Sequence, residues 1–256
     1  MGKNVLIFAG TTEGRHIANR LASKVERLYV SVATEYGRES ICHDISGEII
    51  WGRMDEEEMA QFLLDKKIHI VIDGTHPFAQ LVTANIKKAC KKQGVTYLRC
   101  LREPEQRESS LQGNENMIVV QSVQEAVAYI SQTEGNVLIT TGSKELGLYT
   151  KIPNYQTRCY ARVLSVKESV EKAIALGFQG KHLIAMQGPF SQALNQEMIR
   201  HTDARYMVTK ESGVNGGYEE KVTAASEGNC KTVVIRRPQE EGYSINEIYR
   251  LCLNII

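Results

Sequence analysis

The chain carries almost no net charge: 31 lysines and arginines against 30 aspartates and glutamates leave +1. Such a balance gives no broad electrostatic footprint for nucleic acid or for an anionic membrane surface, although it leaves room for a local basic pocket. No stretch of ~20 apolar residues could cross a bilayer. The first apolar segment stops at Gly10, too short for a secretory signal, so none is expected. The six cysteines (Cys42, Cys90, Cys100, Cys159, Cys230 and Cys252) form no CxxC pair, and cysteines and histidines show no compact ligand spacing. A reducing, cytoplasmic setting is therefore expected, with no resident metal. Low-complexity tracts, a GxGxxG fingerprint and a Walker glycine spacing are all missing, the last of which disfavours nucleoside-triphosphate chemistry.

What remains is an ordinary globular composition, 42% hydrophobic and 24% charged over 256 residues, a length that suits two domains better than one. Short apolar, β-branched runs alternate with amphipathic stretches. Val5–Ala9, Leu28–Ala33, Ile68–Asp73 and Val95–Cys100 read as buried parallel strands, with Ile49–Trp51 a shorter one. Glu13–Lys24, Glu56–Lys66 and Phe78–Gln93 read as the helices between them. After a polar, charged segment at Leu101–Asn116 the alternation resumes, with strands at Met117–Val120, Val137–Thr140, Cys159–Leu164, His182–Gln187, Tyr206–Thr209 and Thr232–Arg236. Helices are expected at Val123–Gln132, Lys167–Leu176, Ser191–His201 and Asn246–Leu253. The fold class is α/β: two Rossmann-like domains, residues 1–112 and 113–256, with mostly parallel sheets and an active site in the cleft between them.

The turn Gly10-Thr11-Thr12-Glu13-Gly14-Arg15 follows the first strand and opens a helix. That context brings backbone N–H groups and the positive helix end against a phosphate. Gly10 permits the turn and Gly14 a close helix approach; Thr11 and Thr12 bring hydroxyls, and Arg15 a charge, although Arg15 also suits a solvated helix face. Past the second strand, Thr34 and Arg38 favour the extra phosphate of NADP, whereas Glu35 opposes it, so NADPH is preferred with NADH left open.

Asp73-Gly74-Thr75-His76-Pro77-Phe78-Ala79 is a second turn on the same rim. Pro77 suits a first helical turn, which makes His76 or Thr75 the expected N-cap. Thr75 and His76 are also candidates for ligand contact, with a catalytic acid role open to His76, and Asp73 is placed to pin the turn. In the second half, Thr141-Gly142-Ser143-Lys144, Gly188-Pro189-Phe190-Ser191 and Thr209–Ser212 each follow a strand, with Gly216–Lys221 read as further loop. These loops are expected to expose Lys210, Ser212 and Lys221 around one anionic-ligand pocket, while Arg236 or Arg237 suits carboxylate binding or the joining of two loops. Phe78 and Phe190 suit either a ligand's apolar face or the core.

The ordered set GTTEGR (Gly10–Arg15), DGTHPFA (Asp73–Ala79), TTGSKEL (Thr140–Leu146), GPFS (Gly188–Ser191), TKESGVNGGYEEK (Thr209–Lys221) and RRP (Arg236–Pro238) resembles the precorrin-6A reductase family of cobalamin biosynthesis across nearly the whole chain. The resemblance implies reduction of precorrin-6A, or its cobalt-containing counterpart, to the 6B macrocycle, with hydride from NAD(P)H to C19 and a proton to C18. It implies cofactor phosphate at Gly10–Arg15 and substrate acid arms at Lys144, Ser191, Lys210, Ser212 and Lys221, with Arg237 a further candidate. His76 or Lys210 is the candidate proton donor, beside water or the substrate's own acids. No nucleic-acid or stable membrane partner is expected, and a monomer is expected with a dimer open. The competing readings are a nicotinamide-dependent reductase or epimerase of another anionic metabolite, an S-adenosylmethionine-dependent tetrapyrrole methyltransferase, and a non-enzymatic binding module. Only the first domain supports the reductase or epimerase reading, which leaves the second-half loops unexplained.

Overall fold

The computed structural model describes residues 2–33, 46–101, 116–212 and 216–255. Thr34 and Arg38, the residues that favoured NADPH, lie outside these described residues. The described chain divides into two compact units, one of residues 2–101 with 239–255 and one of residues 116–238.

In the first unit β1 (Asn4–Phe8), β2 (Arg27–Val32), β3 (Glu48–Trp51), β4 (Ile68–Asp73) and β5 (Thr96–Arg99) form one sheet in the order β3-β2-β1-β4-β5. Every pairing is parallel. Helices α1 (Thr12–Leu21), α2 (Glu56–Asp65) and α3 (Gln80–Gln93) connect them. Local chemistry sets these helix ends. Asp55 and Glu58 form a reciprocal capping box at α2, each side chain accepting the other's backbone N–H at 2.9 Å. Gly94, at φ +65°, ends α3 in the left-handed conformation that glycine tolerates. Both faces of the sheet are buried: β1 sends Val5 and Ile7 to one side with Ile17 and Leu21, and Leu6 and Phe8 to the other with Met59 and Ile86.

In the second unit β6 (Met117–Val120), β7 (Asn136–Ile139), β8 (Cys159–Val163), β9 (Leu183–Ala185), β10 (Ala204–Lys210) and β11 (Lys231–Ile235) run in the order β6-β11-β10-β7-β8-β9. This sheet too is parallel throughout. Its helices are α4 (Val123–Ser131), the single-turn α5 (Tyr155–Arg158), α6 (Lys167–Ala175), α7 (Gln192–Thr202) and α8 (Tyr218–Glu227). Ser122 and Ser191 cap α4 and α7 through their hydroxyls. The α/β class with two parallel sheets is as the sequence predicts.

The elements differ from the sequence reading in several places. The end of the chain, read as part of the second domain, returns to the first unit. There Tyr243 bridges Cys100 beyond β5, and α9 (Ile245–Ile255) buries Ile248 and Cys252 against the β1–β2 side of the sheet. Gly216–Lys221, read as loop, contains the start of α8 at Tyr218. Its first turn carries Glu219 and Glu220, which suit the positive helix end, but the glycines before it hide the helical pattern. Finally α3 starts at Gln80 rather than Phe78, with Ala79 and not His76 or Thr75 at its N-cap and no side-chain cap bond.

Candidate functional site

In the first unit the chain leaves β1 for one side of the sheet and β4 for the other, so the turns after these adjacent strands flank a topological switch point, the usual ligand position in such sheets. The two turns interlock. Thr11 caps α1 by accepting from the Gly14 N–H at 3.3 Å, and its hydroxyl donates to the Gly74 carbonyl at 2.9 Å. Gly14 and Gly74 meet backbone to backbone: a Cβ on Gly74 would lie 2.7 Å from Gly14 Cα, and one on Gly14 would lie 2.8 Å from Ala9 Cα. Gly10, the exposed residue of the turn, has ordinary room, with Thr75 Cα 3.4 Å from a would-be Cβ. Gly74→Ala should therefore cost about 2 kcal/mol, and Gly10→Ala no more than about 0.5 kcal/mol. Thermal unfolding of the two variants checks this; equal midpoints would contradict the close approach.

Beneath these turns lies a network that sequence reading found only in part. Asp73, fully buried, accepts from the Thr75 N–H at 3.0 Å, the Thr75 hydroxyl at 2.7 Å and the Tyr97 hydroxyl at 2.9 Å. It also pairs with Arg99 at 3.0 Å. Arg99 donates to the Thr75 carbonyl at 2.9 Å and reaches Glu240 at 2.7 Å. Burial alone would lower the Arg99 pKa, but Asp73 and Glu240 outweigh it and hold it above the usual range. The Tyr97 phenol is pushed up by burial and by Asp73. Asp73 thus pins the turn as expected, while Tyr97, Arg99 and Glu240 went unnoticed. Their one signal was an arginine inside an apolar strand.

The candidate cofactor residues Gly10, Thr11, Thr12, Glu13, Gly14, Arg15 and Thr75 fall on these two turns. The hydroxyl protons of Thr11 and Thr75 are already committed to Gly74 and Asp73, and the Thr75 N–H is committed to Asp73 as well, so these groups meet a ligand as acceptors rather than as donors. Arg15 reaches back to the Thr12 hydroxyl at 3.4 Å. Glu13 lines a groove of about 570 Å³ with His16, Arg20 and Asn246, along the flank of α1. His76 stacks against Phe78, ring centroids 5.7 Å apart, and its Nδ1 accepts the Phe78 N–H at 3.3 Å.

In the second unit the switch point falls between β7 and β10, and the pair of Lys210 with Glu145 at 2.8 Å ties their following loops together. Lys144 is exposed, its carbonyl accepting from Lys172 at 2.7 Å. Arg237 donates its backbone N–H to Glu211 at 3.0 Å. Ser191 uses its hydroxyl oxygen as the α7 cap. Lys221 and Ser212 are not exposed as the sequence suggested. Lys221 is 7% exposed in the first turn of α8, where it donates to the Gly216 carbonyl at 2.6 Å, and the Ser212 hydroxyl oxygen is buried with no partner among the described residues. Burial, together with the charge of Arg162, pushes the Lys221 amine down to about 8. Arg162 itself, 5% exposed in β8, is lowered by burial to about 10. The sequence reading passed over it, although it too is a charge inside an apolar strand. No helix among the described residues is long and apolar enough to cross a membrane.

Residues 4–253 match the protein family described as precorrin-6x reductase CbiJ/CobK. A cobalt-precorrin-6A reductase of Salmonella typhimurium is 32% identical over 92% of this chain and 88% of its own length. One from Methanothermobacter thermautotrophicus is 34% identical over 92% and 77%. A solved structure titled CobK precorrin-6A reductase superposes with a TM-score of 0.72 at 21% identity, covering 98% of this chain and 96% of that one, and shares its fold.

Proposed function

The chain belongs to the precorrin-6x reductase CbiJ/CobK family and is an oxidoreductase of that macrocycle; from this premise we propose that it reduces cobalt-precorrin-6A with NADPH as hydride donor. One observation carries the reading: the family match runs from residue 4 to 253 and so takes in both parallel sheets with their strand-end loops. The cobalt-containing substrate is favoured by the names of the three relatives above 30% identity. NADPH over NADH rests on the sequence, through Thr34 and Arg38 beyond β2.

The first unit's residues fit a dinucleotide. Gly10 stands exposed at the switch point without a side chain to obstruct a pyrophosphate, and the N-terminal end of α1 faces the same turn. Arg15, anchored to Thr12, adds positive charge there. We assign the pyrophosphate to the backbone of Gly10–Gly14 with Arg15, and the neighbouring ribose to Thr75. The rigid Asp73–Arg99 network holds the Thr75 backbone in place for that contact. When bound, the nicotinamide supplies hydride for C19 of the conjugated ring.

The second unit grips the substrate's carboxylates. Lys210, oriented by Glu145, sits at its switch point, and Lys144, Ser191, Ser212, Lys221 and Arg237 lie on or beside the surrounding loops. Fixing a polyacid by several cations brings the reacting carbon to the donor with little freedom left to lose, which raises the effective concentration of the reacting partners by orders of magnitude. The proton for C18 is assigned to His76 or Lys210. We assign cofactor binding to the first unit and tetrapyrrole binding to the second.

An anaerobic assay with both macrocycles and both cofactors tests the proposal. Product carrying two added hydrogens, formed with matching nicotinamide oxidation and fastest with cobalt-precorrin-6A and NADPH, is the expected result. Macrocycle binding without nicotinamide oxidation would overturn it.

A further inference from the structure

The second unit buries two cations that no carboxylate bonds among the described residues. Arg162 projects from β8 to the side of the sheet covered by α7 and α8, and its guanidinium is held on three sides. Asn195, fully buried, donates its amide protons to the carbonyls of Ser191 at 2.9 Å and Phe190 at 3.3 Å. That leaves its oxygen to accept from Arg162 Nη1 at 2.8 Å, with Met198 Sδ at 3.4 Å from the same nitrogen. Phe190 lies over the guanidinium face, 3.9 Å from Cζ to ring centroid. These contacts fix the plane and engage only Nη1, so the Nε–Nη2 edge keeps its donors without a protein acceptor among the described residues.

Lys221 is close enough to feel the charge of Arg162 and uses one of its three ammonium protons, on the Gly216 carbonyl. Ser212 packs directly over Gly216: a Cβ there would lie 2.1 Å from the Ser212 hydroxyl oxygen, which is buried and has no hydrogen-bond partner among the described residues. The nearby carboxylate is Glu220. It partly offsets Lys221 but forms no ion pair with either cation, and one of its own oxygens is buried without a partner. Two cations and one carboxylate leave a net positive charge in a desolvated place, together with a hydroxyl lacking an acceptor. Burial of that kind is unfavourable unless something anionic completes it. A planar guanidinium with one edge prepaired and the other open matches a carboxylate, which accepts two parallel N–H bonds.

We propose that Arg162, together with Lys221 and Ser212, is a carboxylate-binding subsite of the second unit that anchors one acid arm of the macrocycle. The assignment of the arm rests on the reductase reading above; the carboxylate subsite itself does not. Neither Lys144 nor Lys210 offers the same geometry, since the first is exposed and the second is already paired with Glu145.

The test has two arms. In the first, the Arg162 Nε–Hε resonance, identified by its loss in Arg162→Lys, is followed in the intact protein during titration with tricarballylate, a small tricarboxylate. A saturable shift, weakened in Lys221→Met, is expected. An unmoved resonance in the wild type would overturn the subsite. In the second, Arg162→Met should raise the KM for cobalt-precorrin-6A about tenfold or more, with NADPH affinity and kcat nearly unchanged. Arg162→Lys should restore part of that loss. Equal damage to NADPH affinity and to KM would mark Arg162 as a structural support and overturn the proposal. If tricarballylate shifts the resonance while the wild type turns over neither macrocycle, the reductase reading falls and the carboxylate subsite stands. Normal turnover with an unmoved resonance sinks the subsite alone.

Discussion

Arg99→Met should destabilise the first unit by about 3–5 kcal/mol, the usual cost of removing one member of a buried ion pair. Asp73 and Arg99 are 0% and 3% exposed, and Glu240 is 15% exposed, so little water is available to take over the lost bonds. Asp73 would keep its Thr75 and Tyr97 bonds and lose its only cation among the described residues. The chain's single tryptophan, Trp51, lies in β3 of the same unit, so its fluorescence during urea unfolding reports the relevant transition. The triple variant Arg99→Met, Asp73→Asn, Glu240→Gln should recover much of the loss, because no uncompensated buried charge remains. A loss below about 1 kcal/mol in Arg99→Met, the range of exposed pairs, would show that water reaches the network. NADPH affinity should fall in parallel, since Arg99 holds the Thr75 carbonyl at 2.9 Å and with it the turn assigned to the cofactor.

The second large effect is a pH dependence set by Lys221. In the unfolded chain this amine keeps its ordinary value of 10.5, whereas in the fold burial and Arg162 lower it to about 8. Below pH 8 both states are protonated, and the fold carries the full cost of the buried charge. Between about 8 and 10.5 the folded state has released its proton while the unfolded state still binds one, so stability rises with pH by about 3 kcal/mol from this group. Cys159 and Cys230 act in the opposite sense: burial raises each thiol from 9.0 to about 12, so their contribution is lost as pH climbs past 9. Comparison with Lys221→Met isolates the amine. Amide exchange on β10 and β11 should show the wild type gaining on the variant across pH 8 to 10.5, with the two differing by a constant below pH 7. Parallel curves throughout would mean that the amine is solvated.

The strand and helix succession was legible because each buried strand is a short apolar run and several helices carry a local cap. Asp55 with Glu58, Ser122, Ser191 and Gly94 are local signals, readable within four residues of the element they bound. The glycine turn at Gly10–Gly14 and the turn after Asp73 were legible for the same reason, and so was their place on a common rim, which follows from parallel strands. The helix at Tyr218–Glu227 was not, because Gly216 and Gly217 mask its start and Lys221 reads as a surface residue when its burial is unknown.

The sequence by itself determined the α/β alternation, the loops that follow each strand and, through their ordered motifs, the family. Only the tertiary structure decided which charges are buried and what they face. Arg99 meets Glu240 across 141 residues, Arg162 meets Asn195 across 33, and the terminal helix rejoins the first unit instead of the second. The reason is physical: capping and periodicity act over a few residues of chain, whereas desolvation and ion pairing depend on neighbours in space, which a linear pattern does not encode.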